Sequence, residues 1–183
     1  MAAKLVADVL SLDETKGIID SLNIVPGRTT ENNDYVKNAM GYFSAPETLR
    51  YVDRIEQFVK EQYGNSIKFK NTFTRVCYND SFLKIHTDRF DLDYTVSLCL
   101  KRDVAWPLCV STKIIDVPEN QSQAWDYEKY PSEQPWLNEY EEFDCMPGSM
   151  IIASGRQYPH WRNPLVCNEN QTNIYVFYHW TKV

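Results

Sequence analysis

Residues 81–90, Ser-Phe-Leu-Lys-Ile-His-Thr-Asp-Arg-Phe (SFLKIHTDRF), decide how this chain is read. Apolar and polar residues intermix as in a β-strand, and the run ends in His86-Thr87-Asp88. Along a strand, residues i and i+2 point to the same side. His86 and Asp88 therefore face one interior together, while Thr87 faces away. The chain has only three histidines, and a second one, His160, lies in GRQYPHWRNP before the last apolar run. Two imidazoles and one carboxylate on one face of a metal leave positions open, and that set suits iron(II).

Outward from this stretch the pattern stays β-like. Residues 66–183 carry the runs IKFKNTFTRVCY, SFLKIHTD, YTVSLCLK, WPLCVSTKII, GSMIIAS and NIYVFYHW. Turn-type clusters separate them at Tyr78-Asn79-Asp80-Ser81, Lys101-Arg102-Asp103 and Met146-Pro147-Gly148-Ser149. Residues 1–65 read as helical support. Ser11-Leu12-Asp13-Glu14 has the form of a capping box, opening a helix to about Leu22. Ser44-Ala45-Pro46-Glu47 has the same form. Behind it Leu49, Val52, Ile55, Phe58 and Val59 recur at helical spacing as far as Gly64. The expected fold class is α+β, mainly β. The pattern predicts a double-sheet jelly-roll core with N-terminal supporting helices, in a single domain over 1–183. Residues 118–143 are acidic and aromatic, with three prolines, and read as an insertion between strands or a lid over a site.

Composition narrows the function classes. The 183 residues are 43% hydrophobic and 24% charged, as in ordinary globular domains. The net charge of −6 argues against a nucleic-acid backbone as partner. No apolar run is long enough to span a membrane, and the N-terminus lacks a signal-peptide pattern. Five cysteines, without CxxC spacing, read as reduced thiols in a cytoplasmic protein.

The order H-x-D, strands, Pro-Gly turn, strand, His resembles the iron(II)- and 2-oxoglutarate-dependent oxygenases over about residues 70–183. RVCYNDSFLKIHTDR, YTVSLCL, WPLCV and MPGSMIIASGRQYPHWRNPL are similar to successive pieces of the small, prolyl-hydroxylase-like group. The resemblance implies a double-stranded β-helix (jelly roll, cupin-like) core, His86, Asp88 and His160 as Fe(II) ligands, 2-oxoglutarate and O2 as co-substrates, and hydroxylation with release of succinate and CO2. The ligand carboxylate fits hydroxylation rather than halogenation. The resemblance also implies that Tyr78 donates a hydrogen bond to the distal carboxylate of 2-oxoglutarate. This sequence departs from the family where that carboxylate meets a basic residue on the last strand. Here CNENQTNIYVFY contains none. Arg162 is the first substitute and Lys101 the second, ahead of Lys84 and Arg75. His179 reads as structural. The substrate, a small molecule or a peptide, is open. So are two other classes: a metal-binding jelly roll without turnover, and an iron enzyme that does not use 2-oxoglutarate.

Overall fold

The structure, a computed structural model, describes residues 2–25, 28–33, 35–115 and 139–183. Strand β1 (Ala3–Val6) opens the chain, followed by helix α1 (Leu12–Ser21) and strand β2 (Val36–Phe43). Helices α2 (Pro46–Leu49) and α3 (Val52–Tyr63) precede the strands β3 (Ile67–His86), β4 (Tyr94–Arg102) and β5 (Leu108–Ser111). The last four are β6 (Tyr140–Phe143), β7 (Met150–Ala153), β8 (His160–Arg162) and β9 (Asn173–Lys182).

The capping box at Ser11 forms in both directions. Ser11 Oγ accepts from the Glu14 N–H at 3.2 Å, and Glu14 Oε2 accepts from the Ser11 N–H at 2.8 Å. Ser11→Ala is expected to cost about 1 kcal/mol, read as a lower denaturant midpoint at unchanged slope. The second box does not form. Ala45 occupies the N-cap of α2 and no side chain caps it. Ser44 takes a φ of 46° and turns its hydroxyl toward the Thr72 carbonyl at 3.5 Å. The apolar spacing that starts at Leu49 also breaks there, and α3 begins afresh at Val52.

Two further corrections concern strands. Residues 1–65 are not wholly helical, because β1 and β2 both join the sheet. The Tyr78–Ser81 cluster is no turn between strands. β3 runs through it for 20 residues, with Asp80 at a φ of 61°. Between Cys77 and Phe82, β3 bulges against Ala39 and Lys37 of β2. A bulge bends a strand and strengthens its twist. Here it lets one strand serve two layers. Ile67–Cys77 pairs with β9, whereas Leu83 and His86 pair with β8.

Among the described residues all pairings are antiparallel, in the order β1-β7-β4-β9-β3-β8-β5-β6, with β2 also on β3. The path folds into a double-stranded β-helix. Side chains of β9 alternate between two cores. Ile174, Val176, Tyr178 and Trp180 pack toward α1 and α3, with Ile18, Ile55 and Val59. Tyr175 and Phe177 point into the jelly roll, with Cys77, Cys99, Trp106 and Ile151. Tyr178 donates to the Thr48 carbonyl at 2.9 Å and Trp180 to Glu56 at 3.0 Å, which ties the helices to the outer face. No helix among the described residues is long and apolar enough to cross a membrane. Of the stretch 118–143, residues 118–138 lie outside the described residues. Its end is strand β6, paired with β5.

Candidate metal centre

His86 ends β3 and His160 begins β8, and the two are register partners. Cross-strand pairing therefore sets their rings side by side, with centroids 4.1 Å apart. The chain then turns at the end of β3, where the Asp88 N–H donates to the Gly155 carbonyl at 2.9 Å. This brings Asp88 Oδ1 to 3.5 Å from His86 Nε2 and 3.6 Å from His160 Nε2. One ligand atom from each of the three residues lies within 4.8 Å of the others. The two Oδ1–Nε2 separations, 3.5 and 3.6 Å, suit a metal about 2.1 Å from each atom.

The second nitrogen of each ring is committed to backbone. His86 Nδ1 lies 2.8 Å from the Lys84 carbonyl and His160 Nδ1 3.0 Å from the Tyr158 carbonyl. A carbonyl only accepts, so Nδ1 carries the proton and Nε2 keeps its lone pair. Ligating histidines use the same arrangement. Burial, with His86 beside it, pushes the His160 imidazole down to about 4, so the ring is neutral at neutral pH. Burial opposes ionisation of Asp88, but His160 and His86 outweigh it and hold the carboxyl well below the usual carboxylate range. Asp88 Oδ2 faces away from the imidazoles and accepts from the Thr95 hydroxyl. Gly155 backs the carboxylate so closely that a Cβ there would overlap Oδ2 and sit 2.8 Å from Cγ.

A cavity of about 380 Å³ opens on these three residues. Its wall includes two cross-strand pairs of β3 and β9, Asn71 with His179 and Phe73 with Phe177, with Arg75 beside them. His179 Nδ1 meets Asn71 Oδ1 at 2.8 Å, so this histidine lines the cavity rather than serving only as packing. Tyr35 lies edge-on to His86, with ring centroids 4.8 Å apart. Four of the five cysteines are buried and all are free. Burial pushes the Cys77 and Cys109 thiols up to about 12, so they stay protonated and are poor ligands.

The candidates for a co-substrate anchor separate clearly. Arg162 is 2% exposed and lies over Tyr175 at 4.2 Å and Trp106 at 4.9 Å. It donates to the Trp106 carbonyl and to Ser97 Oγ. Ser97 lines the cavity, so the guanidinium lies just behind the wall. A small void lined by Arg162, Cys77 and Trp106 shares Arg75, Leu83 and Phe177 with the cavity. Among the described residues no carboxylate pairs with Arg162, and its Nε and the Tyr175 hydroxyl are buried without partners. Lys101 instead pairs with Asp103 and with Thr172, away from the cavity. Tyr78 packs with the helix-side core, so its ring is on the wrong face to reach the cavity. Tyr175, which stacks on the Arg162 guanidinium, was not among the sequence candidates. Its only signal was a polar group on an inward position of the last strand.

The chain has the jelly-roll fold seen in solved 2-oxoglutarate oxygenases and prolyl hydroxylases, and the metal-type set lies inside it. The particular similarities are distant. HygX from Streptomyces hygroscopicus, solved with nickel and 2-oxoglutarate, matches with a TM-score of 0.69 at 10% identity. The match covers 100% of this chain and 83% of that one. A prolyl-4-hydroxylase from Pseudomonas putida gives 0.64 at 11% identity, covering 100% and 93%. The viral collagen prolyl hydroxylase of Paramecium bursaria Chlorella virus-1 gives 0.64 at 13% identity, covering 100% and 97%. At such identities the likeness is one of fold. The sequence matches no protein-family profile, and no curated protein is significantly similar to it.

Proposed function

We propose that the chain is an Fe(II)- and 2-oxoglutarate-dependent dioxygenase that hydroxylates a substrate and releases succinate and CO2. The observation that carries this reading is the buried His86–Asp88–His160 set, with both Nδ1 atoms already bonded and both Nε2 atoms turned to one carboxylate oxygen. Iron(II) held there would supply redox chemistry, with open coordination positions for the 2-oxo acid and oxygen. The protein's own groups do the rest. Arg162 and the Tyr175 hydroxyl provide a buried cation and donor for a distal carboxylate. Thr95 keeps Asp88 Oδ2 occupied, so Oδ1 serves as the ligand atom. Apolar side chains around the mouth limit water at the reacting centre. The five free thiols fit a cytoplasmic setting.

A metal-binding jelly roll without turnover is the second reading. It is favoured by the inward positions of β9, where Asn173, Tyr175, Phe177 and His179 include no Arg or Lys. Anaerobic titration of 2-oxoglutarate into the iron(II) protein separates the two, through a weak visible charge-transfer band. Oxygen-dependent succinate release tests turnover. Substituting His86, Asp88 or His160 with Ala is expected to cut bound iron to less than about a tenth, with far-UV circular dichroism unchanged. Normal iron stoichiometry in His160→Ala would remove the core of the reading.

A further inference from the structure

One wall of the cavity is a shelf of three phenyl rings. Phe43 pairs in register with Phe73, and Phe73 with Phe177, across the adjacent strands β2, β3 and β9. All three line the cavity, and Phe43 is 70% exposed. The shelf is built in, because Gly41 makes room for it. A Cβ at Gly41 would overlap the tip of the Phe73 ring and come within 3.2 Å of Glu31 Oε2. Arg75 then lies over both Phe73 and Phe177, at 5.2 and 5.3 Å from their centroids, and fixes them from one side.

The charges around this shelf are closed. Arg75 is held by Glu31 through two hydrogen bonds of 2.7 and 2.9 Å. Arg89 lies 3.3 Å from Asp91. Asp88 belongs to the metal-type set. The row beyond the phenyl rings is the neutral Asn71–His179 pair. Among the described residues lining the cavity, every acidic or basic side chain already faces an opposite charge or the histidine pair. A charged substrate group entering here would lose water and gain no counter-charge. An uncharged ring would trade water for three ring faces and edges.

We propose that the reacting part of the substrate is an uncharged, ring-sized apolar group seated on the Phe43–Phe73–Phe177 shelf, and that organic acids other than the co-substrate, free amino acids and nucleotides are excluded as substrates. The proposal rests on the oxygenase reading of the same site. Calorimetry on the anaerobic protein keeps the two apart. Metal alone is titrated first, then 2-oxoglutarate, and only then ring probes. Failure of 2-oxoglutarate to bind sinks the oxygenase reading, whereas the ring probes are judged on the metal-loaded protein either way.

The probes are cyclohexanol, benzyl alcohol and N-acetylphenylalaninamide against benzoate, benzylamine and phenylalanine. Neutral probes are expected to bind at least tenfold more tightly than charged counterparts of the same ring. Phe43→Ser, at an exposed position where folding is safe, is expected to weaken neutral probes about fivefold with metal affinity unchanged. Phe177→Ala and Gly41→Ala are expected to weaken them tenfold or more. Tighter binding of the amide than of benzyl alcohol assigns a peptide as the source of the ring, and the reverse order assigns a small molecule. Both orders support the shared chemistry. Equal binding of charged and neutral probes, no binding of neutral ones, or full affinity in Phe43→Ser and Phe177→Ala would overturn the proposal.

Discussion

Gly155→Ala is expected to lower affinity for a divalent metal by about ten- to a hundredfold, although Gly155 offers no ligand atom. The added methyl would overlap Asp88 Oδ2 and approach Thr95 Oγ1 to 3.1 Å. Neither neighbour can easily give way. The Asp88 backbone is tied to the Gly155 carbonyl, and Thr95 pairs in register with Ala153 of β7 and His179 of β9. The carboxylate is the softest part, so it must swing, and Oδ1 leaves its place between the two Nε2 atoms. Thr95→Val removes only the hydroxyl that holds Oδ2 and is expected to cost less, while Thr95→Ser should bind as the parent does. Metal titration by calorimetry checks this, with far-UV circular dichroism as the folding control. Unchanged affinity in Gly155→Ala would show that Asp88 reaches the metal by another rotamer, and the positioning role would fall.

Gly155 also marks the boundary of what the sequence made legible. His86, Asp88 and His160 stood out because few residue types ligate metals, and H-x-D needs only local strand geometry. Gly155 and the Arg75–Glu31 pair depend on contacts made far along the chain, which local periodicity does not encode. β3 was read as two strands because Asn79, Asp80 and Ser81 are turn formers. Pairing with β2, β8 and β9 overrides that local preference and absorbs the excess as a bulge. A second irregularity in β3, between Leu83 and His86, explains the misplaced Tyr78. Each added residue flips the facing of a strand. Up to that irregularity the inward positions are Asn71, Phe73, Arg75, Cys77 and Leu83, and beyond it His86. Counting back from His86 therefore selects the wrong neighbour. β2 escaped notice because Asn38, at a φ of 49°, and Gly41 interrupt its alternation.

Arg162→Met is expected to abolish most 2-oxoglutarate binding while leaving the protein without co-substrate nearly as stable as before. The reason is an imbalance in the structure. Arg162 is buried, stacked on Tyr175 and Trp106, and among the described residues bonded only to neutral acceptors at the Trp106 carbonyl and Ser97. A buried ion without a counter-ion costs several kcal/mol, and an apolar side chain of similar length removes that cost. The substitution also forfeits two hydrogen bonds, worth about 1–3 kcal/mol together. The two effects offset, so the net change is expected to stay within about 1 kcal/mol. A carboxylate arriving at the guanidinium supplies the missing charge, and each charge-assisted bond contributes about 1.5–3 kcal/mol. Losing one such bond lowers co-substrate affinity roughly ten- to a hundredfold, and losing both lowers it further. Thermal melts give a direct reading. 2-Oxoglutarate should raise the midpoint of the parent metal-loaded protein and leave that of Arg162→Met unmoved. Lys101→Ala is the control, because Lys101 is engaged with Asp103 and Thr172 away from the cavity. If Arg162→Met keeps its response to 2-oxoglutarate and Lys101→Ala loses it, the anchor lies on β4. If both keep it, neither residue is the anchor, and the buried charge at Arg162 serves something other than the co-substrate.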